Sequence, residues 1–386
     1  MRGVTDSEQY LGAVTLIARD GRIVDWQAFG HRDLARTSPL ARDAIFRIYS
    51  MTKTVTSVAA LMLLEEGKFK LDDPIARYLP EFAHMQVFAG GSADEPRLRA
   101  ATRPITIRQL LTHTAGFAVG GEDARAAVEL LTRARLHESP DLKTYYERLS
   151  RVPLATDPGT RFNYDGVQIV VLSRLIEVVA NTGFDKFLQQ RIFAPLQLKD
   201  TGFSVPAGQR HRIVEMTSTD DAGRLIAARE YAGKPVGEML NPYFSGAGGL
   251  YSTAPDFARF SQMLLNGGEL DGVSLLSRNT VNLMMSNQLS QLQPQAGLKS
   301  EEFRAGEGFG LGGYVVLDGA RRGEPGSVGQ FGWFGAACTY FVIDREQQLI
   351  ALLFMQHLPQ GLPRDPPKLR ARFYNLVYQS QAVSTP

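Results

Sequence analysis

Cysteine is nearly missing from this chain. Its one thiol, Cys338 among 386 residues, excludes an intramolecular disulfide and any multi-cysteine metal site. An excess of charge of either sign is missing too: 42 Lys and Arg against 40 Asp and Glu leave a formal net charge of +2. That balance gives no reason to expect nucleic acid or an anionic membrane as partner. No apolar run approaches the ~18–20 residues of a membrane-spanning helix, and Met1–Tyr10 has no apolar core of signal-peptide length. A cytoplasmic location is therefore expected. The six histidines are scattered without His-x-x-x-His spacing, so no metal or other cofactor is expected. There is no Gly-x-Ser-x-Gly pentapeptide, the nucleophile elbow of α/β-hydrolases, and no internal repeat or low-complexity tract.

What is present is ordinary globular composition, 44% apolar and 21% charged, in a length that allows one large domain or two intertwined ones. The most informative stretch runs from Phe46 to Gly67. Val55, Val58, Ala59, Met62 and Leu63 recur at helical spacing, with Gly67 at the expected stop. Ser50 heads that helix and Lys53 follows three residues on. At ~100° per residue the two side chains lie ~60° apart around the axis and ~4.5 Å apart along it. A hydroxyl and an amine can then meet beside the exposed N–H groups of the helix start. Taken alone, the tetrapeptide also reads as a helix cap beside a solvated charge. The helix that follows is apolar almost all round, as in a protein interior, and a lysine at its mouth loses hydration and becomes a usable base. Ser50 and Lys53 then read as an activated nucleophile.

The rest of the chain has strands at both ends. Ala13–Ala18 and Arg22–Phe29 flank an Asp20-Gly21 turn, a hairpin signal. Strand signals return at Phe309–Leu317, Ala336–Ile343 and Leu349–Met355, and Lys368–Gln379 reads as a closing helix. Between them, residues 106–116, 122–151, 167–179 and 184–193 read as helical. Residues 200–245 read as an irregular crossing with a polar turn at 217–223. A glycine-rich turn at 246–253 leads into a helix at 254–265 with Pro255 in its first turn. The expected architecture is α/β: an antiparallel sheet built from N- and C-terminal segments and flanked by helices, with a mostly helical domain inserted. Residues 1–70 and 240–386 form the first part and 71–239 the second. Ser50 then falls at the cleft between them.

A Ser–Lys pair needs a proton shuttle and an oxyanion hole. Tyr164, in a loop just before the apolar helix at 167, is the candidate shuttle. The N–H of Ser50 and one from the Gly329–Gly335 loop, where glycines permit close backbone approach, are the candidate oxyanion donors.

With these residues in place the sequence resembles the serine β-lactamase and penicillin-binding-protein superfamily, and within it the family VIII carboxylesterases related to class C β-lactamases. The segments that carry the resemblance are Phe46–Lys53, Leu71–Pro74, Leu110–Gly116, Pro158–Tyr164 and Gly248–Thr253. It implies a β-lactamase-like fold, Ser50 as the acylated nucleophile, and Lys53 with Tyr164 as its base. The same alignment puts the second oxyanion N–H on Trp333. Three departures stand out, of which the first two bear on the substrate. Where these families carry Tyr-x-Asn, the third residue is Gly166. Where they carry a cation in Lys-Thr-Gly or His-x-Gly, the aligned residues are Gln330-Phe331-Gly332. Both handles for an anionic, amide-bearing substrate are gone, and a neutral ester needs neither. The expected pocket is Tyr49, Gly166, Gln330, Phe331, Gly332 and Phe334. The third departure is that this family commonly has a helix before the first hairpin, and here the hairpin begins almost at once.

The expected function is a serine carboxylesterase for short-chain, small-molecule esters, with a homo-oligomer possible. A β-lactamase or D-amino-acid amidase, an acyltransferase to an alcohol, and a non-catalytic binding module of the same fold remain as alternatives. His113 invites a Ser-His-Asp reading, but its helix-end setting favours a hydrogen-bonded structural histidine. Asp72 and Asp73 fit a turn ahead of Pro74, and Cys338 reads as a buried strand residue.

Overall fold

Asp20 and Gly21 both take positive φ, 49° and 73°, the two-residue turn whose twist matches the flanking strands. They join β1 (Gly12–Arg19) to β2 (Arg22–Gly30). Five further strands complete one antiparallel sheet: β3 (Glu307–Phe309), β4 (Tyr314–Val316), β5 (Phe331–Gly335), β6 (Thr339–Asp344) and β7 (Leu349–Phe354). Their order is β3-β4-β5-β6-β7-β1-β2. The first and last strands of the chain therefore lie side by side, with Val14 opposite Phe354 and Arg19 opposite Leu349. The computed structural model describes residues 1–386 except 8, 118–124, 229–234, 291–304, 362, 364 and 382–386.

Both faces of the sheet are covered, which is why β6 and β7 are buried at every position. On one face α3 (Ala254–Leu265) packs against β7, β1 and β6, with α1 (Thr52–Glu65) in the same core and α2 (Val167–Ala180) packed on α1. Ile350, Leu352 and Phe354 point into that side and share one core with Val58, Leu172 and Phe257. The other face carries α4 (Arg370–Gln381), whose Phe373, Tyr374 and Val377 meet Ala351 and Leu353. The local signals explain the helix ends. Thr253 caps α3 by accepting from Asp256 N–H, with Pro255 in the first turn. Asn181, left-handed at φ 50°, ends α2. The short Ile107–Leu111 helix starts with a complete capping box between Thr106 and Gln109. No single helix among the described residues is long and apolar enough to cross a membrane.

Several elements differ from expectation. The strand expected at 309–317 is the β3–β4 hairpin, broken at Gly310, Gly312 and Gly313. The Gly329–Gly335 segment, read as a loop, is mostly β5. Its glycines serve close packing: a Cβ on Gly332 would press on the Phe341 carbonyl oxygen and the Tyr314 ring. The following strand starts at Thr339 because Gly335–Cys338 is a turn, closed by Cys338 N–H on Gly335 O at 3.1 Å. Cys338 therefore sits in that turn at φ 62°. Burial pushes its thiol up to about 11, which leaves it protonated and unreactive. A five-residue helix, Arg2–Asp6, precedes the first hairpin. The expected turn at 217–223 is the tip of a small hairpin, Thr217–Thr219 with Leu225–Ala227. Unforeseen were the hairpin of Gln86–Gly91 with Pro96–Ala100 and the helix Arg278–Met284, capped by Ser277. Residues 122–124 of the stretch expected to be helical lie outside the described residues.

Candidate active site

The chain enters the site through Tyr49, whose φ of 42° is rare for a bulky side chain. This bend starts a single 3-10 turn, Tyr49–Met51, that runs directly into α1. Ser50 is thus presented half-buried at the head of a helix whose next twelve residues are all buried. Lys53, 4% exposed, brings Nζ to 2.9 Å from Ser50 Oγ and donates to Ala247 O at 2.7 Å. The buried threonines beside it are satisfied from the loops around them: Thr54 donates to Gly312 O and Thr56 to Gly246 O, each at 2.8 Å. Ala247 was not foreseen, although the Gly246-Ala-Gly-Gly run marked the backbone approach that brings its carbonyl in.

Tyr164 closes the other side. Lys53 Nζ lies 5.0 Å from the centre of its ring, and the Trp333 indole N–H donates to its hydroxyl at 3.0 Å. A donor aimed at the phenolic oxygen stabilises negative charge that develops there. Beneath Tyr164 sits fully buried His113, which burial and the nearby Lys53 charge hold well below the ordinary histidine range. Asp165 is pushed up to about 6 by burial, opposed by the Gln168 hydrogen bonds and by Lys53. Its two oxygens accept from Gln168 N–H and Nε2–H, each at 3.0 Å.

The direction of the β5 backbone decides what faces Ser50. Val316 N–H donates to Gln330 O, and Gly332 stands opposite Tyr314. Even-numbered residues therefore turn their peptide groups toward β4, odd-numbered ones toward β6. The N–H of Trp333 belongs to the β6 ladder, opposite Phe341, and the residue is 1% exposed. Trp333 N–H is thus not an oxyanion donor. Gly335 O accepts from Cys338 N–H, so across the trans peptide the N–H of Ala336 points the opposite way, to the edge that β4 leaves uncovered. Ala336 is exposed. The same strand end lies against the nucleophile turn, where a Cβ on Gly335 would overlap Ile48 O. Trp333-Phe334-Gly335, not Gln330-Phe331-Gly332, is the tripeptide beside the site. The expected register was off by three because β5 was taken for a loop.

The expected pocket changes accordingly. Gln330 is 1% exposed and faces away, donating to Tyr314 OH at 3.2 Å and accepting from Tyr378 OH at 3.0 Å. Phe331 is buried against Phe341, Gly332 is enclosed in the sheet, and Tyr49 packs on Ala228, Ala337 and Leu358. Two residues stay near the cleft. Gly166 lies where a Cβ would touch Ala247, and half-buried Phe334 stacks on Trp333 at 4.9 Å.

The Beta-lactamase family model matches residues 1–373. The chain belongs to the beta-lactamase family. Within that family it is 35% identical to Protein Rv1367c of Mycobacterium tuberculosis strain H37Rv over 363 residues, covering 93% of this chain and 89% of the relative. It is 30% identical to the lovastatin esterase of Penicillium rubens, covering 89% and 88%. Among solved structures, EstCE1, a hydrolase with promiscuous acyltransferase activity, superposes with a TM-score of 0.76 at 25% identity, covering 96% of each chain. Sheet, helices and relatives agree on a beta-lactamase-fold serine hydrolase or acyltransferase.

Proposed function

We propose that this protein is a carboxylesterase that hydrolyses short-chain, neutral esters through an acyl-enzyme on Ser50. The observation that carries the reading is the 2.9 Å Ser50–Lys53 contact beside a Tyr164 held by an indole. The β-lactamase cation is replaced here by the neutral Trp333, so a substrate carboxylate has no partner at that position and an ester does not need one.

In this reading the Lys53 amine and Tyr164 accept the Ser50 proton as Oγ attacks the ester carbonyl. The tetrahedral oxyanion rests on the N–H groups of Ser50 and Ala336. Tyr164 returns a proton to the departing alkoxide, leaving a Ser50 ester. Water then attacks that ester, its proton passing to the same base pair, and the carboxylic acid and free serine are released.

Hydrolysis rates of p-nitrophenyl butyrate and a chromogenic cephalosporin, for wild type and Ser50→Ala, test it. Fast ester cleavage with weak lactam opening, both abolished in the variant, supports the reading. Full ester activity in Ser50→Ala sinks it, and lactam turnover rivalling the ester overturns the substrate class. The acyltransferase activity of EstCE1 supports a second reading, transfer to an alcohol. That reading predicts ester products in place of free acid when an alcohol acceptor is added.

A further inference from the structure

Tyr164 sits in residues 157–166, a segment with no helix or strand of its own, so its phenol must be aimed by contacts from outside. His113 supplies them on three sides. Its carbonyl accepts from Asn163 N–H at 2.7 Å, and its ring Nδ1 accepts from Asp165 N–H at 3.4 Å. Its imidazole lies 4.7 Å from the Tyr164 ring. The aromatic contacts close on themselves: Tyr164 to Trp333 at 5.0 Å, Trp333 to Phe309 at 5.2 Å and Phe309 to His113 at 5.4 Å.

His113 is a costly way to fill this space. It is fully buried, it adopts a left-handed φ of 55°, and its Nε2 has no hydrogen-bond partner among the described residues. An apolar side chain would avoid the unmet nitrogen. What only an acceptor at the Nδ1 position provides is the bond to Asp165 N–H, directly after Tyr164.

We infer that His113 is a positioning residue for Tyr164, gripping the backbone on both sides of it and setting its ring against Trp333. This rests on the esterase reading, in which Tyr164 moves the proton. Asparagine tolerates the left-handed backbone and carries an acceptor at the Nδ1 position, whereas glutamine carries its amide too far out.

The test compares His113→Ala, His113→Asn and His113→Gln on p-nitrophenyl butyrate, with active sites counted by fluorophosphonate titration. We expect kcat per active site to fall about 10- to 100-fold in the Ala and Gln variants with KM nearly unchanged, and to recover in Asn. Equal kcat in all three, or an Asn variant as slow as Gln, overturns the inference. If the Ala variant does not fold, the Asn–Gln pair decides. A readout independent of activity uses the Trp26→Phe background, where Trp333 is the sole tryptophan: emission should shift with Gln and not with Asn. An unchanged spectrum in the Gln variant overturns the positioning claim, while a wild type inactive on esters overturns the esterase reading instead.

Discussion

Two side chains and one amide separate this site from a bare Ser–Lys pair. The Trp333 indole contributes one neutral hydrogen bond to the Tyr164 hydroxyl. Trp333→Phe keeps the ring packing and removes the donor, so kcat on a short ester should drop about tenfold, the worth of one such bond. Ala336 offers a cleaner excision. It is the second residue of the Gly335–Cys338 turn, a position that suits proline, so Ala336→Pro deletes the N–H with little strain. Loss of one oxyanion donor predicts a fall in kcat of about 10²–10³ with little change in Tm. An Ala336→Pro enzyme of wild-type rate would show that the oxyanion is held elsewhere.

At the scale of the element, β5 positions the site. Its end rests on Ile48 just before the nucleophile turn, and Gly335 makes the approach possible. Gly335→Ala should push the strand and the turn apart, costing about 1–3 kcal/mol and lowering esterase activity more than thermal stability alone explains. Measuring kcat at a temperature well below the variant's Tm separates the two. β5 is also where the sequence was hardest to read. The Ser50–Lys53 spacing was legible because helical periodicity marks the start of α1. Tyr164, in contrast, lies in a segment without helix or strand and was picked out only by its place just before α2. Phe331–Gly335 alternates glycine with aromatics, and both faces of the strand are buried, so there is no polar alternation to mark it. Reading it as a loop displaced the box by three residues, from Trp333 to Gln330. The hydrogen-bond direction of a strand is a tertiary fact, set here by Val316 and Cys338, and no local pattern carries it.

The molecule as a whole closes its sheet with its first and last strands, and the hairpin at Asp20-Gly21 and the run at Leu349 made that legible. The described residues of the crossing between 200 and 245 were not, because they are held by distant partners. One of these is His357, 1% exposed, whose ring nitrogens lie 3.1 Å from Thr217 Oγ1 and 3.3 Å from Thr219 Oγ1. Burial lowers it from 6.5 to about 4. The unfolded chain therefore binds this proton first, so stability falls as pH drops below about 6.5 and levels off near 4. At ~1.4 kcal/mol per unit the loss approaches about 3 kcal/mol, and buried His113 adds in the same direction. Asp165, raised to about 6 by burial, acts with the opposite sign over about pH 6 to 4, so the His357 contribution is read as a difference. Denaturant melts at pH 7, 5 and 4 should show wild type losing more stability on acidification than His357→Gln.

The claim on which the rest depends is that Ser50 carries the acyl group. It is tested most directly by quenching the enzyme during turnover of p-nitrophenyl butyrate and mapping the adduct by peptide mass spectrometry. One butyryl group is expected on the peptide that contains Ser50, and none in Ser50→Ala. Butyrate released by a wild type that never carries the label there, or a label on another residue, would contradict it.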